Sequence, residues 1–444
     1  MILNWLHKNV TFRISDLIFG QEIAPRLKFL EEAQWWDRSR IESYQKQALS
    51  SLIKIAYEEI PLYHDLMDKS GVKPGDIVMS SDLTKLPVVS KAMLKADFPA
   101  RTVRKTGYRQ FVASGSGSTG TNMQVMADSF SVGQAQATGI LSFSWSGWRL
   151  GDSHLQFGIT LNRGIQKQIK DKLLRCNYQS AYDLTETHID QCLNILDSKK
   201  IKHLWGYPPA LYLMAKRAEK VGWNQPLSAV ITWGDNLFSH YREIIERVFK
   251  TKVIDTYGCG EGIHVSAQCG HGSTYHTHDF DTIVEFLNND DQPAGRNEYG
   301  HIVLTRLDPG PMPLIRYRIG DIGIKGEELS CTCGRQLGTM QSIQGRDTDI
   351  VITPSGNRLI VHFFTGILEH YHQIKFFQVT QDKIDEMKLR IVPGAGYSDA
   401  VQNEIVSDLK AHGADLRIEV EIVSEIPPSA SSKRRFVISN LRMV

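Results

Sequence analysis

The chain has 444 residues, which is too long for one ordinary hydrophobic core, and 41% of them are hydrophobic, so we expect a soluble protein of two or three domains. Its 51 basic and 49 acidic side chains nearly cancel, and this balance gives no electrostatic footprint for nucleic acid or for an acidic membrane. Six cysteines, two of them in a Cys-x-Cys pair, indicate thiols or metal ligands more than a secreted disulfide framework.

No run of residues approaches the length of a membrane span. The first residues, 1–20, are interrupted by His7, Lys8, Arg13 and Asp16, where a secretion signal would have an unbroken apolar region. We therefore expect a cytoplasmic protein with small-molecule partners, no nucleic-acid partner and no membrane span.

Residues 23–70 are rich in helix formers with apolar side chains at helical spacing, and the pattern breaks at Pro61, so we expect an amino-terminal helical region. From residue 110 to about 340, short β-branched segments alternate with helical patterns. The segments are strands at 202–205, 229–233 and 253–255 and helices at 209–221 and 240–249. This alternation predicts a large α/β domain with a mainly parallel sheet.

Around 345–357 the sequence becomes polar and rich in turn formers, which predicts a hinge. Beyond it, the pattern predicts a small α+β domain, with strands at 376–379, 387–392 and 416–422 and a helix at 398–411. We therefore divide the chain into a large domain, 1–345, whose helical region extends to about residue 100, and a small mobile domain, 346–444.

The segment Ser114–Thr121 consists of glycines and hydroxyl residues between two apolar segments. Glycines let successive backbone N–H groups point into one concavity, and hydroxyls add further donors, so the segment predicts a phosphate-binding loop. It is not a Walker loop, because Thr121 and Asn122 stand where that motif requires Lys and Ser or Thr.

Four further segments carry charged residues, in the order 255–261, 316–321, 345–349 and 427–435. A carboxylate in the first, directly after a predicted strand, could hold a cation. Asp321 in the second, just past another predicted strand, could accept both hydroxyls of a ribose. Singly, such residues are more often helix caps or surface ion pairs, so their joint order carries the argument.

That order is a hydroxyl-rich loop, Tyr-Gly-x-x-Glu, Tyr-x-x-Gly-Asp, Gly-Arg-x-x-Asp and a late Ser-Lys, and it resembles the adenylate-forming superfamily of acyl-CoA synthetases and related ligases. Within residues 42–91, the segments 56–63 and 86–88 look like the phenylacetate-CoA ligase and CapK branch. The resemblance covers nearly the whole chain. It implies an AMP-forming carboxylate ligase that uses ATP and Mg²⁺, with coenzyme A as the first choice of acceptor.

The resemblance also implies a role for each motif. The phosphates would be cradled by the loop residues Ser116, Gly117, Ser118, Thr119, Gly120 and Thr121. The adenine would lie along Gly234 and Asp235 and be flanked by Tyr257 and Gly258.

The charged residues have implied roles as well. Glu261 would hold Mg²⁺, Asp321 would bind the ribose, and Arg346 would bind the ribose or a phosphate. Lys433 would swing in with the small domain and bridge the substrate carboxylate and the α-phosphate. Catalysis would then consist mainly of positioning and charge stabilisation.

Cys331 and Cys333 form a tight Cys-x-Cys knuckle, and Cys269 and His276 lie upstream, so one nitrogen and three sulfurs could hold a tetrahedral zinc. The alternative is a reduced turn beside an ordinary histidine. Proteins of the resembled branch often carry a zinc site here, which favours zinc, with His271 and His278 as competing ligands. Four protein ligands would make the metal structural.

One departure from the branch leaves the acceptor open: residues 352–358 differ from the segment that follows the hinge in phenylacetate-CoA ligases. Ser432 stands where relatives usually have Gly, and Thr348 where an acidic or basic residue is common, but neither change removes a needed charge. CapK-like relatives are associated with surface polysaccharide synthesis, so an amide-forming ligase acting on an amino or uronic sugar is the main alternative to thioester formation. A non-catalytic nucleotide-binding scaffold is a second alternative, against which the presence of all the charged motifs argues.

Overall fold

The computed structural model describes residue 16 and residues 20–114, 123–158, 163–181, 184–327, 331–346, 350–368, 370–427 and 435–441. The amino-terminal region forms helices α1 (Ile23–Ala33), α2 (Arg38–Glu59), α3 (Pro61–Lys69) and α4 (Lys91–Asp97). The Asp37 side chain caps α2 by accepting from the Arg40 N–H, and Pro61 opens α3, where its fixed φ suits the first helical turn. These helices confirm the predicted helical region.

A hairpin and a large sheet follow. The hairpin pairs β1 (Gln110–Ser114) with β2 (Gln124–Asp128). The sheet consists of β3 (His154–Gly158), β4 (Cys176–Ser180), β5 (His203–Gly206), β6 (Ala229–Thr232), β7 (Val253–Cys259), β8 (Ile263–Gln268), β9 (Tyr275–Thr277), β10 (Thr282–Leu287), β11 (Tyr299–Arg306), β12 (Tyr317–Lys325) and β13 (Thr339–Arg346). The helices between its strands are α5 (Ser129–Ser144), α6 (Ile165–Leu173), α7 (Glu186–Ser198), α8 (Pro208–Lys220) and α9 (Ser239–Phe249).

The prediction of a mainly parallel sheet is wrong. Within the described residues, the strand order is β10-β11-β12-β13-β9-β8-β7-β6-β5-β3-β4, and only the five strands from β7 to β4 run parallel. These are the strands joined through helices, which carry the chain back to the same edge of the sheet. Beyond β7, strands such as β7 and β8 follow one another through short turns or loops and pair antiparallel.

Apolar side chains of α7, α8 and α9 cover one face of the parallel strands, and β5 and β6 are buried at every position. Their core includes Leu193, Met214 and Ile245, all 3% exposed or less. A second core joins the amino-terminal helices to the antiparallel strands, with Leu52 and Leu304 among its buried members. The parallel strands therefore form a rigid base whose carboxyl ends are free to carry loops.

The small α+β domain is confirmed. It contains the hairpin β14 (Ile350–Ile352) and β15 (Arg358–Ile360), then α10 (Val361–Leu368), β16 (Ile374–Lys383), β17 (Glu386–Pro393), α11 (Asp399–Ala411), β18 (Arg417–Ile422) and β19 (Val437–Ser439). Four of its strands form a sheet of order β18-β17-β16-β19. The exact division after residue 345 stays a prediction, because residues 347–349 at the expected hinge lie outside the described ranges.

No helix in the part of the chain that the structure describes is both long and apolar enough to cross a membrane.

Candidate active site

The predicted adenine segments lie at the carboxyl ends of two neighbouring parallel strands. Gly234 and Asp235 follow β6, and Tyr257 and Gly258 lie near the end of β7. Gly234 has a φ of 75°, and a Cβ there would come within 2.8 Å of the Tyr207 ring. A Cβ on Gly258 would come within 2.6 Å of the Ile263 carbonyl oxygen, so both positions require glycine.

Tyr257 and Asp321 are joined by a hydrogen bond. The Tyr257 hydroxyl donates to Asp321 Oδ2 at 2.6 Å, and Asp321 is 9% exposed. In the sheet, Asp321 on β12 is the register partner of Arg346 on β13, of which only the backbone is described. Three predicted nucleotide-site residues from β7, β12 and β13 are thus brought together.

The prediction that Asp321 lies just past a strand is wrong, because it lies inside β12. The pairing of β12 with β11 shifts register between His301 and Val303, and Gly320 has a φ of 87°. The register shift is a β-bulge in β12. The Gly320-Asp321 pair, which suggested the end of a strand, lies at this bulge. A bulge aims the Asp321 side chain while the strand continues.

Glu261 is held by a tyrosine whose role the sequence did not suggest. The Tyr317 hydroxyl donates to Glu261 Oε1 at 2.7 Å and lies 3.3 Å from Met123 Sδ. Tyr317 is fully buried, so its hydroxyl fixes the orientation of the Glu261 carboxylate. Tyr317 is the first residue of the Tyr-x-x-Gly-Asp motif, and its place in that motif is the sequence feature that could have indicated this role.

Met123 also shows where the predicted phosphate loop ends. The hairpin strands β1 and β2 pair up to Ser114 and Gln124, and Met123, just before β2, lies next to the Tyr317 hydroxyl that holds Glu261. The loop residues Ser116–Thr121 themselves, like Lys433, lie outside the described residues.

A buried carboxylate lies behind these residues. Asp255 on β7 accepts hydrogen bonds from the Thr232 and Tyr275 hydroxyls, each at 2.5 Å. Burial raises the pKa of Asp255 to about 6, and the two hydrogen bonds oppose that rise. Because Thr232 ends β6 just before the adenine segment, the two hydrogen bonds of Asp255 connect that segment to Tyr275 on β9. Asp255 itself is buried and does not face a nucleotide.

The four predicted zinc ligands converge. The ligand atoms of Cys269, His276, Cys331 and Cys333 all lie within 4.8 Å of one another. The Cys269 and Cys331 sulfurs are 3.4 Å apart, and Cys333 Sγ lies 3.3 Å from His276 Nε2. One nitrogen and three sulfurs at these separations fit a tetrahedral zinc.

The two competing histidines lie differently. The ring nitrogen Nε2 of His278 is hydrogen-bonded to the Ser142 hydroxyl at 2.9 Å, and His271 is exposed. His276 is fully buried on β9, next to Tyr275. The cluster is therefore one residue away from the side chain that holds Asp255.

Comparisons with known proteins agree with this arrangement. The family model of the CapK C-terminal domain matches residues 351–440. The phenylacetate-coenzyme A ligase of Thermus thermophilus is 22% identical over 407 residues, which cover 86% of this chain and 88% of that protein. Protein CapK of Staphylococcus aureus is 20% identical over an alignment of 452 residues that covers 98% of both chains.

A solved structure of 2-hydroxyisobutyryl-CoA ligase, in the postadenylation state with 2-HIB-AMP, has a TM-score of 0.72 at 18% identity, and the match covers 92% of each chain. The chain therefore has the fold of the adenylate-forming ligases, and its sequence is similar to those of phenylacetate-CoA ligases and of CapK. The resemblance drawn from the order of the motifs is thereby confirmed, and so is the fold of a large α/β domain followed by a small α+β domain.

The buried position of Asp255 predicts a pH-dependent stability. Its folded pKa of about 6 lies above the ordinary aspartate value of 3.8, so the folded state binds the proton more tightly than the unfolded state. The resulting stabilisation is complete below about pH 4, is lost as the pH rises through about 6, and is on the order of 3 kcal/mol. Asp255→Asn should remove this slope from thermal unfolding measured across that range.

Tyr275→Phe serves as the companion variant. Removing a hydroxyl that lowers the Asp255 pKa should move the transition to higher pH. An Asp255→Asn protein that keeps the wild-type slope would contradict this assignment.

Proposed function

We propose that this protein is an ATP-dependent carboxylate ligase that forms an acyl-adenylate, releases pyrophosphate and transfers the acyl group to a thiol, coenzyme A. The observation that supports it most is the pairing of two carboxylates with two tyrosine hydroxyls: Asp321 is held at 2.6 Å and Glu261 at 2.7 Å. Glu261 is joined through Tyr317 to Met123, the first described residue after the hydroxyl-rich loop. A nucleotide site needs both a ribose acceptor and a metal ligand, and Asp321 and Glu261 would supply them.

The proposed roles follow from this placement. Asp321 would accept the ribose hydroxyls, and Tyr257, which orients it, would flank the adenine. Glu261, oriented by Tyr317, would hold Mg²⁺, which when bound neutralises charge on the phosphates. Arg346, opposite Asp321 in the sheet, would contact the ribose or a phosphate.

The reaction then needs little chemistry from the side chains. A substrate carboxylate oxygen attacks the α-phosphorus of ATP, and the bond to pyrophosphate breaks. The acceptor thiolate next attacks the acyl carbon, and AMP leaves with the bonding electron pair. Lys433 would stabilise the negative charge that gathers between the carboxylate and the α-phosphate in the first step.

A second acceptor class has its own support. The CapK C-terminal model matches residues 351–440, and CapK of Staphylococcus aureus aligns with almost the whole chain, whereas the thioester-forming relatives share 22–24% identity over a smaller share of it. An amine acceptor, such as an amino sugar, would give an amide. Supplying coenzyme A and amines separately to enzyme with bound acyl-adenylate distinguishes the two acceptors.

We also propose that Cys269, His276, Cys331 and Cys333 hold a structural zinc. Zinc bound by four protein side chains would join the loop after β8 to the loop before β13. It would supply no catalysis, because no coordination position is left for substrate or water.

Lys433→Ala should lower the rate of carboxylate-dependent pyrophosphate release about a hundredfold, because losing one donor to transition-state charge costs on the order of 3 kcal/mol. The assay would supply ATP and Mg²⁺ with a panel of aryl, fatty, amino and sugar acids. Arg434→Ala, a neighbouring cation, is the matched control and should retain most of the rate. Wild-type release by Lys433→Ala would remove the assignment.

Purified protein should contain about one zinc per chain by elemental analysis. Cys331→Ser should lose the metal and lower the melting temperature by several degrees, since the bound metal stabilises only the folded state. Cys176→Ser, at a half-buried cysteine outside the cluster, should keep both values near wild type. Metal-free wild-type protein that is insensitive to chelators would disprove the zinc site.

A further inference from the structure

Helix α6 turns its apolar side chains outward. Ile165 is 76% exposed, Ile169 53% and Leu173 48%. The spacing of four residues places successive members about 40° apart around the helix, so the three form one continuous apolar stripe. Among the residues of α6 whose side chains are described, none is buried. A short helix is normally stabilised by burying such a stripe, so the stripe calls for a partner.

Cations surround this stripe. Residues 163–175 carry five basic side chains, Arg163, Lys167, Lys170, Lys172 and Arg175, and one acidic side chain, Asp171. Asp171 is already paired with Arg163 at 2.5 Å. Lys167, Lys170 and Lys172 are exposed, and on the helix Lys172 and Lys170 lie on opposite sides of the stripe. The near-neutral charge of the whole chain conceals this local excess.

The helix lies at the rim of the molecule. It packs against β4, the outermost strand at that end of the large sheet. Strand β3 ends at Gly158 and α6 begins at Ile165, and the candidate active site is built at the carboxyl ends of the parallel strands. A flat surface could therefore meet α6 while the sheet stays unchanged.

We propose that α6 is a docking surface for an anionic lipid bilayer. The aliphatic stripe would insert into the apolar layer of the bilayer, and the bordering lysines would contact the negatively charged head groups. A fluid bilayer can accommodate a convex stripe, whereas a protein partner would need a matching groove. Three aliphatic side chains alone bind weakly, so binding requires both the stripe and the lysines and is reversible. The proposal is independent of which acid the enzyme activates.

The test is cosedimentation of the full chain with vesicles of phosphatidylcholine, with and without phosphatidylglycerol, at physiological salt. We expect binding only to the anionic vesicles, and Ile169→Glu should weaken it by about tenfold or more, because a buried carboxylate replaces an aliphatic group. Neutralising the lysines in Lys167→Gln/Lys172→Gln should weaken it as well. Ile384→Glu is the matched control, since Ile384 is 46% exposed in the turn between β16 and β17, and it should bind as the wild type does.

Three results would overturn the proposal. The first is the absence of binding to anionic vesicles, and the second is an equal loss of vesicle binding in Ile169→Glu and Ile384→Glu. The third is a wild-type dimer in sedimentation velocity that Ile169→Glu dissociates, because it would show that a second copy of the chain covers the stripe. Pyrophosphate release in vesicle-free solution, which should be equal in wild type and Ile169→Glu, shows that the variant is folded.

Discussion

Strand β7 is the element on which the candidate site depends, because it pairs parallel with β6 on one side and antiparallel with β8 on the other. Strand β7 is therefore the last of the parallel strands, and the antiparallel strands begin next to Tyr257. The hydrogen bond from Tyr257 to Asp321 therefore joins the two halves of the sheet at the point where a ligand has access.

Behind this point, buried polar contacts hold the loops in place. Asp255 links Thr232, at the end of β6, to Tyr275 on β9, and the next residue, His276, belongs to the Cys-His cluster. A buried carboxylate is costly unless its hydrogen bonds are satisfied, so these contacts must form together for the strands to pack. The proposed zinc would stabilise β9 through His276 and the end of β8 through Cys269, and would influence the nucleotide segments through these two strands.

The sequence was sufficient for the features that depend on local pattern. Periodicity located the amino-terminal helices, β5, β6, α8 and α9, and the order of short motifs gave the resemblance to the adenylate-forming ligases. The Cys and His spacing also selected four residues that do converge. These predictions succeeded because each uses residues close together in the chain or a motif with a fixed local geometry.

What failed depended on contacts between distant residues. The bulge at Gly320 made Asp321 look like the end of a strand, and the antiparallel half of the sheet is set by turn lengths that hydrophobicity does not reveal. Tyr317 contacts Glu261 across 56 positions of sequence, and nothing local marks that pairing. Helix α6 was not among the predicted helices, and periodicity would in any case have identified its apolar face but not what covers it.

In the proposed reaction, attack of a carboxylate cleaves ATP between the α- and β-phosphates. The most direct test is to identify the nucleotide product by chromatography after incubation with ATP, Mg²⁺ and a panel of carboxylic acids. We expect AMP and pyrophosphate in equal amounts, formed only when a suitable acid is present. Carboxylate-dependent formation of ADP and inorganic phosphate would contradict it.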